Sequence, residues 1–304
     1  MLCTYRLLKP GEAGSYERLA IASYRGKLAQ LSENEPIIAV AATFLGRKVG
    51  LAILEIINQF GQDTAILASI YVVPEFRGRG FGKELLQQVE RVLKARNINK
   101  IKVYLLEGRN NSVVLERLLA GANWSTPRNC MIQVTSSIEK IQQAPWLKNA
   151  AIPVGWEIFS WKDLPGEERL RLEQENRQEW WIPSALLPAG GPNQSIEREF
   201  EPYTSVGLYS NGHVEGWMIN YKLNDTTLLF SKGWVKKRLQ RSGGSLPFIG
   251  LLAESIRRFS RTNYQFGIWQ VANHQPAMQA FTLKRLVPFS LDCKNIVSAE
   301  KSLT

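Results

Sequence analysis

The stretch Tyr71-Val72-Val73-Pro74-Glu75-Phe76-Arg77-Gly78-Arg79-Gly80-Phe81-Gly82-Lys83 leaves a β-branched run, crosses three alternate glycines and enters a helical repeat. Glycines at 78, 80 and 82 leave successive backbone N–H groups without side-chain cover, and the N-terminus of the helix that follows adds partial positive charge. Arg77, Arg79 and Lys83 put formal charge on the same turn. The combination suits a pyrophosphate. A P-loop needs Gly-x-x-x-x-Gly-Lys followed by Ser or Thr, but Gly78 and Gly82 stand one residue too close and Glu84 replaces the hydroxyl. A dinucleotide-binding turn needs Gly-x-Gly-x-x-Gly, and its last position falls on Lys83 or Leu85.

Working outward, residues 36–45 and 49–60 are β-branched apolar runs around the turn-like Leu45-Gly46-Arg47-Lys48, and 65–73 follows Gly61-Gln62-Asp63. Three antiparallel strands are predicted. Beyond Pro74, Phe81, Leu85, Leu86, Val89, Val92 and Leu93 recur at helical spacing, with Lys83, Glu84, Gln87, Gln88, Glu90, Arg91 and Lys94 on the other face. A strand over 101–106, a helix over 112–120 and a closing strand over 130–134 complete an α+β pattern.

In this context Arg77-x-x-Gly80-x-Gly82, preceded by Val72-x-Pro74, resembles the acyl-CoA-binding motif of the GCN5-related N-acetyltransferase (GNAT) superfamily, over nearly all of residues 1–140. The resemblance implies that Arg77, Gly78, Arg79, Gly80, Phe81, Gly82 and Lys83 form the turn around the CoA pyrophosphate. The strand end at Tyr71, Val72 and Val73 would pair with the pantetheine amides, and the N–H of Val72 or Val73 would polarise the thioester carbonyl. Asn110 falls near the cysteamine end; as a helix N-cap ahead of Ser112 it reads equally well. The implied co-substrate is acetyl-CoA or another acyl-CoA, with no metal. Two features depart from the family pattern. The segment Leu115-Glu116-Arg117-Leu118-Leu119 lacks the tyrosine that reprotonates the thiolate, leaving Tyr71 and Tyr104 as substitutes that also read as strand packing. The fourth strand carries no carboxylate, so Glu55 on the neighbouring strand is the candidate general base, acting through water.

A shift of 163 residues carries Val72 to Val235, Arg77 to Gln240, Gly80 to Gly243, Gly82 to Ser245 and Asn110 to Asn273. The second half repeats the order of elements: a helix over 166–181, a hairpin at Asn211-Gly212, a strand over 228–235, a helix over 246–259 and a strand over 266–270. The expected fold is tandem GNAT domains, each a mixed, mostly antiparallel sheet flanked by helices. Their expected extents are an intact copy over 1–143, a linker over 144–153 and a diverged copy over 154–304. Gln240, Gly243, Ser245 and Asn273 mark a weaker second cofactor site, with Lys236, Lys237, Arg238 and Arg241 crowding its loop. The acidic helix ending in Trp180-Trp181 reads as an entrance for a cationic amine or as packing in a domain seam.

The 304 residues carry 38 Lys and Arg against 27 Asp and Glu, a net charge of +11. The excess is +7 over residues 1–145 and +4 over the rest, yet residues 157–225 hold 12 acidic and 6 basic side chains. No helix-turn-helix, zinc-finger or aromatic RNA-binding signature accompanies the basic excess, so nucleic acid is not the expected partner. Three well-separated cysteines and two histidines offer neither a disulfide framework nor a zinc site. No apolar run is long enough for a membrane span or signal peptide, which leads to the expectation of a cytoplasmic protein. The expected function is transfer of an acyl group, acetyl first, to a small-molecule or peptide amine by direct attack on the thioester. The alternative is a protein that binds acyl-CoA, or the phosphopantetheine arm of a carrier protein, without acylating an amine.

Overall fold

A computed structural model of the protein describes residues 3–32, 36–59, 62–108, 110–152, 154–179, 199–241 and 246–303. In chain order its elements are β1 (Cys3–Leu7), α1 (Ala22–Ala29), β2 (Ile37–Phe44), β3 (Arg47–Gln59), β4 (Gln62–Val72), α2 (Phe81–Ala95), β5 (Lys100–Leu106), α3 (Asn110–Ala120) and β6 (Arg128–Ser137). There follow α4 (Ile138–Ile141), α5 (Pro145–Asn149), β7 (Glu157–Ser160), α6 (Gly166–Glu179), β8 (Glu199–Phe200), β9 (Val206–Ser210), β10 (His213–Asn224) and β11 (Thr227–Val235). The last are α7 (Lys237–Arg241), α8 (Leu246–Phe259), β12 (Phe266–Ala272), α9 (Pro276–Arg285) and β13 (Asp292–Ser302). The chain divides into two units; among the described residues, 3–130 and 295–303 form the first, and 131–294 the second.

In unit 1, β1, β2, β3 and β4 pair antiparallel in sequence order, and β4 then meets β5 in parallel. The β2–β3 turn has φ of +49° at Leu45 and +76° at Gly46, the double left-handed turn whose twist matches that of the flanking strands. β2 is apolar from Ile37 to Ala42 because both its faces are covered there. One face packs with Phe81, Leu85, Leu86, Val89 and Leu93 of α2, and the other with Tyr24 and Leu28 of α1. The apolar residues of α2 recur every three or four positions, so one side of the helix buries them all while the charged side stays wet.

Unit 2 repeats this plan. β7, β9, β10 and β11 pair antiparallel, and β11 meets β12 in parallel. Asn211 and Gly212, with φ of +49° and +75°, make the β9–β10 turn in the same way. One face of the sheet packs under Leu251, Leu252, Ile256 and Phe259 of α8, and the other buries Trp161, Trp217 and Leu172 of α6.

The strand that closes each sheet differs from the expectation. Residues 130–134 were expected to close the first domain, but β6 pairs antiparallel with β12, Met131 opposite Ala272 and Ser137 opposite Phe266. Unit 1 is instead closed by the chain's last strand: Ile296 lies opposite Leu106 and Ser302 opposite Lys100. The division at 143/144 is therefore displaced, with residues 131–143 in unit 2 and 295–303 in unit 1. The expected linker is no free connection either, since Trp146 and Leu147 of α5 are buried in the unit 2 core and the Trp146 indole donates to the Arg285 carbonyl at 2.9 Å. A periodicity argument sees that 130–134 is a strand; it contains nothing about which strand accepts its hydrogen bonds.

Side chains reinforce the closure of unit 1. Lys301 donates to both Glu90 carboxylate oxygens at 2.8 Å and to the Ala122 carbonyl at 2.7 Å, while Glu300 lies 3.0 Å from Lys100 and 3.6 Å from Lys102. Truncation after residue 291 should therefore strip β5 of amide-exchange protection and lower the unfolding midpoint of unit 1, although it removes no residue of the glycine turn. Native-like protection of Lys100–Leu106 in the truncated chain would contradict this pairing. Acid should loosen the same edge. The Lys100 hydrogen bond, with Lys102 beside it, holds the Glu300 carboxyl below its ordinary value of 4.5. A depressed folded pKa contributes stability that is complete above that value and lost as pH falls through it. The pair is half exposed, so the effect is below about 1 kcal/mol. Glu300→Gln should flatten the acid limb of the thermal midpoint against pH below about 4.5.

Candidate functional site

β4 and β5 are paired only at Ala65 with Ile101 and Ile66 with Lys102. Past Ile66 the two strands part, and among the described residues the β5-facing edge of β4 has no strand partner as far as Val72. Six residues of strand make this edge about 20 Å long. Where the opening begins, β4 carries a bulge: Leu67 lies opposite Leu54 and Ser69 opposite Ile53, so Ala68 has no partner on β3.

Hydrogen bonding shows which amides face the opening. The Val73 N–H donates to the Val49 carbonyl at 2.9 Å, which fixes Val73 as a residue that bonds toward β3. Antiparallel ladders alternate, so Tyr71 also bonds toward β3, while Val72 and Ile70 point their N–H groups to the open edge. Val73 is thus unavailable as the amide that polarises a bound carbonyl, contrary to the pair expected from sequence. Val72 keeps that orientation, and Ile70, which no sequence motif marks, joins it. The missed signal lay in tertiary pairing, because a strand sequence does not show which amides lose a neighbour.

The glycine turn is anchored on both sides. Phe76 and Phe81 pack edge-on against Phe44 and against each other, with ring centroids 5.7–5.8 Å apart. Residues 77–80 between them are exposed. Gly78 and Gly80 have φ of +74° and +85°, a left-handed backbone that any side chain would strain, and Gly80 caps α2. Gly82 lies 3.6 Å, measured from an added Cβ, from the Leu118 side chain of α3, so the first turn of α2 sits close against that helix. The Arg77 Nε donates to the Val72 carbonyl at 2.9 Å, and its guanidinium lies 5.5 Å from the Tyr71 ring centroid. The Arg79 guanidinium stands 5.8 Å from the Phe76 ring. Among the described residues, none of Arg77, Arg79 and Lys83 has an acidic partner.

Unit 2 carries the same skeleton with different chemistry. Its β11 bulges at Ser231, 163 residues beyond Ala68, and the Lys236 N–H donates to the Glu215 carbonyl at 2.8 Å as Val73 does to Val49. The Gln240 amide donates to the Val235 carbonyl at 2.7 Å, reproducing the Arg77 brace. The slot is closed one pair further than in unit 1, through Phe230 and Trp269, whose rings stack at 4.5 Å. Two of the loop cations are engaged: Arg238 lies 2.5 Å from Glu215, a carboxylate only 3 % exposed, and Lys236 lies 3.8 Å from Glu175. Gly243 and Ser245 lie outside the described residues, as do Trp180 and Trp181. Asn273 accepts from Gln279 at 2.7 Å.

Glu55 stands on β3 directly opposite Ile66, where the unit 1 slot begins, and accepts a hydrogen bond from the Tyr24 hydroxyl of α1. It shares the α1 face with the buried Ile53 and Leu51. Tyr104 lies on β5 opposite Ser298; burial first, then Cys130 and Glu300, raises its phenol above the ordinary value, so it stays protonated at neutral pH. Asn110 begins α3. The Ser112 hydroxyl donates to the Leu106 carbonyl at 3.0 Å and ties that helix to the end of β5. Among the described residues no group of three or more His, Cys, Asp or Glu is arranged to hold a metal ion, and no helix is long and apolar enough to cross a membrane.

A sheet of this topology, with a bulged fourth strand parting from the fifth above a glycine turn and helix, defines the acyl-CoA N-acyltransferase class of fold, and the chain contains it twice. Residues 4–114 match the model of the acetyltransferase (GNAT) family. A tandem GNAT protein from the clavulanic acid biosynthesis pathway, solved without acetyl-CoA, superposes over 99% of both chains with a TM-score of 0.69 at 13% identity. A GCN5-related N-acetyltransferase from Sphaerobacter thermophilus covers 99% of this chain and 96% of its own with a TM-score of 0.61 at 15% identity. One from Anabaena variabilis covers 99% and 73% with a TM-score of 0.54 at 13% identity. No curated protein matches by sequence. Residues 4–114 thus carry a GNAT acetyltransferase domain, and the chain as a whole has the tandem GNAT fold.

The brace beneath the turn gives a direct test. Because unit 2 makes the same bond with glutamine, Arg77→Gln should leave the stability of unit 1 near wild type, whereas Arg77→Ala should cost about 1 kcal/mol. Urea unfolding of the two variants distinguishes them: equal losses would show that glutamine does not reproduce the bond in unit 1, and no loss in Arg77→Ala would show that the bond contributes nothing.

Proposed function

We propose that the protein is an acyl-CoA-dependent N-acyltransferase whose working cofactor site is the unit 1 slot, with acetyl-CoA as the expected donor. The observation that carries the reading is the contrast between the two turns. In unit 1 the glycine turn presents amides and three cations without acidic partners, whereas in unit 2 Arg238 and Lys236 are already held by carboxylates. An anionic pyrophosphate gains most where it replaces water around free cations and a helix N-terminus.

The pyrophosphate sits on the amides from Arg79 through Lys83. The pantetheine arm then runs along the open edge of β4 and takes the hydrogen bonds that β5 leaves vacant, with Val72 as a donor. Further down the edge, the Ile70 N–H faces the thioester carbonyl and stabilises the oxyanion that forms when the amine attacks. The amine nitrogen bonds to the carbonyl carbon, the C–S bond breaks and the CoA thiolate leaves. Glu55, at the end of the slot, takes the proton lost by the amine, directly or through one water. The Tyr104 phenol, kept protonated, is the donor assigned to the thiolate. The acceptor, a small molecule or peptide, approaches from the α1 face, on which Glu55 stands.

The second reading, binding of acyl-CoA or of a carrier protein's phosphopantetheine without transfer, is favoured by the absence of a tyrosine in Leu115–Leu119 and of a carboxylate along the open part of β4, from Leu67 to Val72. Calorimetric titration of acetyl-CoA separates the sites: Gly80→Glu, which adds strain and negative charge to the turn, should abolish binding, while Gly243→Glu should leave it intact. The reverse pattern would move the site to unit 2. Release of free thiol across a panel of amines then tests transfer, and Glu55→Gln should lower kcat by about a hundredfold with little change in acetyl-CoA affinity. Binding with no thiol release from any amine class would establish the second reading.

A further inference from the structure

Unit 2 contains a cleft of about 400 Å³ at the end of its sheet opposite the cofactor turn. It is bordered by the segment after β8, the end of β10 with the turn that follows it, and the segment after α8, so the nine residues of β11, about 30 Å of strand, separate it from Val235. We propose that this cleft is a binding site for a zwitterionic amino acid or dipeptide, distinct from either acyl-CoA slot.

The charges inside it set the chemistry. Glu201 is only 8 % exposed, and its carboxylate is held rigidly: it accepts from the Thr204 N–H at 2.6 Å, from the Thr204 hydroxyl and, on its other oxygen, from the Tyr203 N–H at 3.3 Å. All three donors are neutral, and among the described residues no cation pairs with it. Lys222, which also lines the cleft, is already spoken for by Asp225 at 3.2 Å and Glu199 at 3.6 Å, and the Asp225 hydrogen bond raises its pKa. Arg261 is the opposite case, an exposed guanidinium with no acidic partner among the described residues. The cleft therefore offers one buried carboxylate that lacks a cation and one cation that lacks an anion. A ligand with an ammonium at one end and a carboxylate at the other satisfies both, and a simple anion or a simple amine satisfies one and is repelled by the other.

Tyr203 and Tyr264 supply the walls between these ends. Burial, and after it the Glu201 charge, raises the Tyr264 phenol above its ordinary value, so it stays a neutral donor beside the ammonium position. Two aromatic faces favour a side chain with flat or apolar character. The volume accommodates a dipeptide and falls within the range of small-molecule sites.

Calorimetry on the full chain, with free L-phenylalanine, L-glutamine and the dipeptide Gly-Phe as probes, tests the proposal. At least one free probe should bind, and its N-acetyl and carboxamide derivatives should each bind at least about tenfold more weakly, as expected for loss of a charge-assisted hydrogen bond. Arg261→Ala, on the surface, should weaken the free probe by a similar factor while leaving its carboxamide unchanged. Glu201→Gln risks the fold of the turn it holds, so Tyr264→Phe serves as the second variant, with a smaller loss expected. Acetyl-CoA affinity should be the same in all of them. Absence of binding by every free probe at 10 mM (about the weakest affinity worth calling a site), or affinity indifferent to Arg261→Ala, overturns the proposal.

Discussion

Everything at the site depends on the parting of β4 from β5 after Ile66 and Lys102. A backbone amide that loses its strand partner must find another, and this edge offers water or a ligand with amides of its own. The Ala68 bulge turns β4 at that point, the Val49 bond keeps Val73 tied to β3, and the Arg77 brace holds the carbonyl of Val72. These contacts keep the open edge in place without closing it. The aromatic trio of Phe44, Phe76 and Phe81 then fixes both ends of the glycine turn, so that the segment between them stays exposed without being loosely attached.

The second unit separates scaffold from chemistry. It keeps the bulge, the bond from the residue after the strand, and the brace from Gln240, features that determine where the backbone goes. What differs is that two of its loop cations, Arg238 and Lys236, are engaged by carboxylates. Glu215 stands where unit 1 has Val49, and a buried carboxylate at that place draws Arg238 onto itself. Removing such a partner from a buried charge is costly, so the pair is held firmly despite the exposure of the arginine. One fold thus carries two turns, one whose cations lack acidic partners among the described residues and one in which two cations are held by the unit's own carboxylates.

Each sheet also depends on a strand from a distant part of the chain. Closing unit 1 with β13 requires residues about 190 positions apart to meet, as Glu107 and Asn295 do through a backbone bond of 3.0 Å. Such non-local pairing is slow to form because the loop must close before any contact compensates for the lost entropy. It also makes the first half of the sequence incomplete as a folding unit, although its glycine turn is complete.

Short-range sequence signals were enough for the α+β class, the hairpins at Leu45-Gly46 and Asn211-Gly212, the amphipathic α2 and the glycine turn from Arg77 to Gly82. All of these rest on short-range physics: turn geometry, helical periodicity and the freedom of glycine. The 163-residue offset also survived, because the brace and bulge fall at matching positions in both halves. Tertiary structure alone decided that β6 and β13 close the opposite units, that Val73 is engaged while Ile70 and Val72 face the slot, and that Arg238 is occupied by Glu215. Each of these is a question of which hydrogen-bonding or charged group finds which partner across long stretches of chain. Strand sequences of similar apolar character pair equally well in principle, and only the packed core chooses among them.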